Sequence, residues 1–269
     1  MLYLMSIDDI AYRNKLPAAP ETLQIVPGDD RISVALNRPA KRNAIDAQTI
    51  EELHAVCAEL EARPKILLLH GQPGVFAAGA DIAELRERGR EEAVRGINSR
   101  AFDRIAKLPL PTVAAIDGPA LGGGAELAYA CDIRIGTPRA RIGNPEPGLG
   151  VLAAAGGCWR LPQIVGDPLA REMLLAGRLL DGEEAHAARL LNDLVEPDEL
   201  LDRASSLIDR IARGSLLALR LTKLALQAPA AAHPAFSDVA QAVLFETDEK
   251  RERMTAFLER DRGYPRAAR

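Results

Sequence analysis

The chain has 269 residues, 48% hydrophobic and 27% charged, which supplies one large folded domain or one domain with a small appendage. A formal net charge of −4 spreads no broad basic field, so nucleic acid is excluded as the main partner. The 3 cysteines (Cys57, Cys131, Cys158) lie far apart without a CxxC pair and the 4 histidines are scattered, which argues against a disulfide framework and a metal site and for a reducing compartment.

Along the chain, "MLYLMSIDDIAYRNK" has no basic region ahead of its short apolar start and soon turns acidic, so it does not read as a signal peptide. No apolar run approaches membrane-spanning length, and a cytoplasmic protein with no membrane partner is expected. Residues 1–20, ending in "LPAAP", read as a loosely ordered lead-in. "TLQIVPGDDRISVALN" (22–37) predicts two strands around a Pro-Gly-Asp-Asp turn. Asp46 is placed to N-cap a helix whose apolar residues Ile50, Leu53, Cys57 and Leu60 recur at helical spacing. "KILLLHG" (65–71) is a short continuous apolar run, as expected of a strand covered on both faces. Helices are predicted around 81–88 and 91–107, the second ended by Pro109 and Pro111. "TVAAID" (112–117) is the next strand, then a glycine run, a helix through Ala130, and a strand over "CDIRIGT" (131–137). This alternation implies an α/β core with right-handed crossovers. From about 168 the pattern turns helical, through "PLAREMLLAG", "DGEEAHAARLL" and "DELLDRASSLIDRIA" to "RERMTAFLERDR".

Three loops carry candidate chemistry. In "PALGGGAELA" (119–128) three glycines precede Glu126 at the start of a helix. Their N–H groups, near the positive end of the helix dipole, suit a phosphate, a close helix–strand packing contact, or an oxyanion whose charge develops during reaction. No GK[ST] or GxGxxG accompanies them, which weakens the phosphate reading. In "GQPGVFAAGADIAEL" (71–85) the small residues Ala77, Ala78, Gly79 and Ala80 admit a close backbone approach, and Asp81 is either a helix cap or a ligand contact. In "ARIGNPEPGLG" (140–150) Glu146 stands between Pro145 and Pro147, and the following proline predicts an extended backbone for it. A surface-loop glutamate and a rigidly aimed carboxylate are both consistent with that mounting.

"NRPAKRNAID", "FAAGADIAEL", "DGPALGGGAELAYACDIRI" and "ARIGNPEPGLG", in this order and at these spacings, resemble the enoyl-CoA hydratase/isomerase (crotonase) family. The likeness runs from about residue 21 to "MTAFLERDR". It implies a spiral core of strand-strand-helix turns over 21–199, carrying the active site, and a helical segment over 200–269 that builds a homotrimer or a dimer of trimers. The tail residues Ile208, Ile211, Leu216, Leu219 and Leu224 would then bury against neighbouring subunits. The implied ligand is an acyl-CoA thioester, with no cofactor beyond the coenzyme A that enters with the substrate. By matching position, the backbone N–H groups of Ala80 and Gly123 would hold the thioester oxygen, Gly123 in a glycine-favoured conformation, and Glu126 and Glu146 would be the catalytic pair. Arg42, Ala44, Ala78, Asp81 and Ile82 would line the coenzyme A channel, and Phe257 and Arg260 would reach it from the C-terminal helix. Two departures stand out: Ala83 replaces a lysine found in some hydratases, and "GVLAAAGGCWRLP" (150–162) carries Cys158-Trp159 where Thr-Gln is usual, near the acyl pocket. With both glutamates present, the resemblance implies hydration of a 2-enoyl-CoA to a 3-hydroxyacyl-CoA. Double-bond isomerisation and a non-catalytic acyl-CoA-binding oligomer are the alternatives.

Overall fold

A computed structural model describes Leu16, residues 19–72 and residues 74–262, with side chains to Glu259. Most of the 1–20 lead-in therefore lies outside the described residues. The chain divides into two compact units, the first ending at Ile211 and the second beginning at Ala212. Among the described residues no helix is long and apolar enough to cross a membrane.

The first unit opens with strands β1 (Leu23–Pro27) and β2 (Arg31–Leu36), a 3-10 turn at Pro39–Lys41, helix α1 (Ala47–Ala62) and strand β3 (Ile66–His70). Helices α2 (Ile82–Glu87), α3 (Arg90–Arg95) and α4 (Ile97–Ala106) follow, then β4 (Thr112–Ile116), β5 (Pro119–Leu121) and α5 (Gly123–Tyr129). Next come β6 (Ile133–Gly136), β7 (Arg141–Gly143), a 3-10 turn at Glu146–Leu149, and helices α6 (Gly157–Val165) and α7 (Asp167–Leu175). Strand β8 (Leu180–Asp181), helix α8 (Gly182–Ala187), strand β9 (Asp193–Leu194) and helix α9 (Leu200–Ala212) complete it.

The main sheet runs β1-β2-β3-β4-β6-β9, and the smaller one β5-β7-β8. The first hairpin is antiparallel, Leu23 facing Leu36, and every later pairing in the main sheet is parallel. A strand of the large sheet, a short strand or bridge of the second layer and then a helix make one turn of the spiral. β3 leads to an Ala77–Ala120 bridge and α2, β4 to β5 and α5, and β6 to β7 and α6. The core between the layers holds Val34, Leu36, Leu67, Leu69, Phe76, Phe102, Ile116 and Leu127, all buried. Their removal from water is the main force closing the turns on one another.

Asp46 caps α1 as its position predicts, its carboxylate accepting from the Thr49 N–H (2.8 Å) and hydroxyl (2.7 Å). Glu52, facing back from that helix, accepts from the N–H groups of Glu21, Thr22 and Leu23 and pins the entry to β1. Three predicted elements need correction. The helix expected over 91–107 breaks at Gly96, whose φ of 61° ends α3 and starts α4. The helix expected over 181–191 stops at Ala187, with Arg189 at a φ of 59° turning the chain into β9. The strand over 131–137 contracts to Ile133–Gly136.

Ile208 is also reassigned. It lies on α9, wholly buried with Ala204, so it belongs to the first unit's core and not to an exposed tail face. In the second unit α10 (Leu216–Gln227), α11 (Ala235–Phe245) and α12 (Asp248–Arg262) carry apolar residues that stay exposed, among them Leu216, Leu224, Val239 and Phe257. The Ser215 hydroxyl both caps α10 and donates to Glu249 (2.6 Å) on α12.

Candidate active site

The site grows from three backbone segments laid side by side. Ile45 N–H donates to the Gly79 carbonyl (2.8 Å) and Asp81 N–H to the Ile45 carbonyl (2.9 Å), so residues 79–81 run along 45. On the other side Ala77 N–H donates to Pro119 and Leu121 N–H to Ala77 (both 3.0 Å), tying the segment to β5. This pairing uses the N–H of 81 and of 77 but skips that of Ala80. Among the described residues, neither the Ala80 nor the Gly123 N–H has a hydrogen-bond acceptor. The two positions are close: a Cβ built on Gly123 would stand 3.4 Å from the Ala80 nitrogen.

The three glycines have three different reasons. Gly122 is the N-cap of α5 at φ 50°, and a Cβ there would stand 3.2 Å from a Glu146 carboxylate oxygen. Gly124 packs so tightly on the preceding layer that a Cβ would fall 2.4 Å from the Ala77 carbonyl oxygen. Gly123 has an ordinary helical backbone, and its added Cβ would meet only normal contacts. The positive-φ strain expected at Gly123 therefore sits one residue earlier, where the chain must turn from β5 into the helix. What Gly123 contributes is an N–H without an acceptor among the described residues, close beside Ala80.

Glu126 occupies the first turn of α5, only 4% exposed. Its Oε1 accepts from the Ala155 N–H (2.7 Å) and the Gly157 N–H (3.0 Å). Burial, reinforced by the charge of Glu146 and opposed by those two donors, pushes its carboxyl up to about 7. Glu146 is 8% exposed and reaches the same space from the loop after β7. Its backbone is not extended. It is the first residue of a 3-10 turn, in which Gly148 N–H bonds to Pro145 and Gly150 N–H to Pro147. Pro147 fits because the second position of such a turn needs no N–H donor, and this overrides the pre-proline preference. Glu146 Oε1 accepts from Asn144 Nδ2 (3.2 Å), whereas the buried Oε2 has no partner among the described residues. Burial raises this carboxyl as well, opposed by its own backbone and by Asn144.

Beside the carboxylates a cavity of ≈ 330 Å³ is walled by Pro147, Val151, Leu152, Ala153, Cys158 and Leu174, among others. Burial and the charges of Glu126 and Glu146 push the Cys158 thiol up, which places this wall within the field of both glutamates. The other expected residues are distributed as follows. Arg42 is exposed with its backbone at φ 52°, and its carbonyl accepts from the Ala78 N–H (3.0 Å). Ala44, Ala78 and the exposed Ile82 lie along the same pair of segments. Asp81 caps α2 through Ala83 N–H and pairs with Arg38 (3.3 Å), so its carboxylate is already engaged. Phe257 is exposed on α12 of the second unit, beside Met254 and Leu258. Arg260 belongs to the same helix, and its side chain lies outside the described residues.

Four residues escaped the sequence reading. Arg38 joins Asp46 (2.8 Å), Asp81 and the Ala44 carbonyl (2.6 Å), and so fixes the loop that frames Ala80. The backbone donors of Ala155 and Gly157 hold Glu126, and Asn144 holds Glu146. Asn144 alone had a local signal, standing two residues before Glu146. Among the described residues no group of three or more His, Cys, Asp or Glu could hold a metal ion.

The family model described as enoyl-CoA hydratase/isomerase matches residues 31–264. This chain belongs to that family. It is 35% identical over 238 residues to the short-chain-enoyl-CoA hydratase of Clostridium acetobutylicum, covering 84% of this chain and 90% of the relative. It is 34% identical over 246 residues to the crotonyl-CoA hydratase of Syntrophomonas wolfei, covering 88% and 95%. Among solved structures, the enoyl-CoA hydratase from Bacillus anthracis superposes with a TM-score of 0.85 at 28% identity, covering 89% of this chain and 97% of the other. The spiral of strand-strand-helix turns described above is therefore the crotonase fold.

Proposed function

We propose that this crotonase-family chain is an enoyl-CoA hydratase that adds water across the double bond of a 2-enoyl-CoA thioester. The observation that carries the reading is the convergence of two buried carboxylates, Glu126 and Glu146, on a site that also presents the unpaired N–H groups of Ala80 and Gly123. Hydration needs both features. As the water oxygen bonds to Cβ, the double-bond electrons move toward the thioester and its oxygen gains negative charge. Two fixed donors at Ala80 and Gly123 stabilise that charge most when it is most developed, in the transition state. The proton leaving water passes to one carboxylate, and Cα takes a proton from the other, so the pair must hold one proton at the start and one at the end. Burial raises both carboxyls, and the charge of Glu146 raises Glu126 further, which favours a pair holding one protonated and one ionised partner.

The acyl chain beyond Cβ enters the cavity along its apolar residues Val151, Leu152 and Leu174, which suit hydrocarbon; Asp167 and Arg171 also line it. Coenzyme A runs past Arg42, Ala44, Ala78 and Ile82, where Arg42 offers an exposed cation. It is part of the substrate, and the reaction as written needs no other cofactor. The exposed apolar side chains of the second unit support assembly into a trimer or a pair of trimers, with Phe257 and Arg260 offered to coenzyme A.

A panel of 2-enoyl-CoA esters of graded length, read by loss of enoyl-thioester absorbance, tests the reading. Turnover that peaks at one chain length supports it. No turnover with tight acyl-CoA binding would leave a binding protein, and migration of a 3-enoyl double bond without hydration would leave an isomerase.

A further inference from the structure

One buried polar chain leads away from the reacting groups and ends inside the core. Tyr129 is the last residue of α5, three positions after Glu126, and is 3% exposed. Its hydroxyl donates to Asn144 Oδ1 at 3.0 Å, and Asn144, wholly buried, donates from Nδ2 to Glu146 Oε1 at 3.2 Å. An amide has one acceptor end and one donor end, so the partner of one end dictates what the other can do. Reversed, Asn144 would set its carbonyl oxygen against the Glu146 carboxylate, two acceptors face to face in a buried site.

We propose that Tyr129 is a positioning residue: its hydroxyl locks the Asn144 amide with Nδ2 toward Glu146, which engages Oε1 and leaves Oε2 as the oxygen that meets the reacting group. The partnerless state of the buried Oε2 is the second observation behind this. A buried carboxylate oxygen without a donor is costly unless a transient partner, here substrate or water, completes it. Burial and the two glutamate charges keep the Tyr129 hydroxyl protonated, so it is always a donor. The titratable groups that feel the Glu146 carboxylate are Glu126 and Tyr129 on α5 and Cys158 on α6. The role assigned to Tyr129 rests on the hydratase reading, because it needs Glu146 to act on a substrate.

The experiment is Tyr129→Phe in the full chain, followed by carbon-13 titration of labelled glutamate carboxyls and by steady-state kinetics. The Glu146 signal is assigned by its disappearance in Glu146→Gln. Weakening the donor to Oε1 should raise the Glu146 midpoint by about half a pH unit, since that donor favours the ionised form. Hydration should lose roughly 5- to 10-fold in kcat, with KM within about 2-fold, as for an interaction that matters after substrate is bound. In an Asn144→Ser background the same change should add nothing, because the link through the amide is already cut. An unmoved midpoint and kcat with only a lower Tm would make Tyr129 a packing residue and overturn the proposal. An equal effect in both backgrounds would overturn the route through Asn144. If Tyr129→Phe does not fold, Asn144→Ser alone must raise the midpoint, and an unmoved one refutes the chain. Absence of hydration by the wild type would remove the hydratase reading only, since the titration judges the polar chain without turnover.

Discussion

Adding one methyl group at Gly123 and, separately, at Gly124 distinguishes the oxyanion role proposed for Gly123 from packing at Gly124. At Gly123 the new Cβ would lie 3.4 Å from Ala80 N, 3.7 Å from Asn98 Nδ2 and 3.9 Å from the Gly79 carbonyl carbon, all ordinary contacts. The backbone there is helical, so alanine should cost no stability and should gain ~0.5–1 kcal/mol from reduced chain entropy. A gain of that size moves Tm up by about 1–4 °C in a domain this large. The methyl nonetheless comes within 3.4 Å of the Ala80 nitrogen, next to the place proposed for the thioester oxygen. Loss of one such donor costs ~10²–10³ in kcat. At Gly124 the Cβ would lie 2.4 Å from the Ala77 carbonyl oxygen and 2.7 Å from the Ala77 side chain. Those backbones must separate, at a cost of about 1–3 kcal/mol or more. Thermal unfolding and turnover measured on the same samples decide the matter. The expected pattern is a folded, inactive Gly123→Ala and a destabilised Gly124→Ala. A Gly123→Ala protein with near-normal kcat would refute the placement of the thioester oxygen between Gly123 and Ala80.

Three further outcomes are expected. A carboxyl that titrates at about 7 in the fold and at 4.5 unfolded binds more protons when folded, so Glu126 lowers stability progressively as pH rises from 4.5 through 7. Glu126→Gln, which keeps an acceptor for Ala155 and Gly157, should therefore be more stable than wild type at pH 8 by ~1–3 kcal/mol and nearly equal at pH 4.5, checked by denaturant unfolding at both values; equal stability at pH 8 would contradict the burial argument. Glu52 is the opposite case: burial raises its carboxyl, but the donors from Gln48, Glu21 and Thr22 outweigh that and hold it below its ordinary value. Glu52→Ala should cost ~2–4 kcal/mol at neutral pH, and the loss should shrink as acid protonates the wild-type carboxylate below pH 4.5, which urea titrations at pH 7 and pH 4 would show. In light scattering at micromolar concentration the chain should run as a trimer or a multiple of it, and a clean monomer would remove the proposed role of Phe257 and Arg260.

Much of the first unit was legible because its signals are local. β3 is a run of buried residues between Lys65 and Gly71, and Asp46 announces α1 by its side-chain chemistry. The glycine run and Glu126 share one continuous stretch. The second layer was not legible, since β5 and β7 are three residues each and β8 and β9 two, too short for any periodicity to register. Glu146 was found but mis-shaped: the pre-proline rule is a local preference, and the turn that closes on Gly150 overrode it. Ile208 was read as tail because its helix continues the C-terminal pattern, and only packing shows that it completes the first core. Arg38 and Tyr129 act through partners 43 and 15 residues away, and no spacing rule links an arginine to Asp81 or a tyrosine hydroxyl to an asparagine amide at such distances.

The most direct test of the central claim is the hydration rate of a 2-enoyl-CoA ester by Glu126→Gln and Glu146→Gln, each beside wild type. Both substitutions keep shape and most hydrogen bonds while removing the group that gives or takes a proton. Each variant should stay folded, bind a saturated acyl-CoA with near-normal affinity, and lose ~10²–10⁴-fold in kcat, the share that a positioned acid or base contributes. Near-normal hydration by either variant, once shown to be folded and to bind, would contradict the two-carboxylate account.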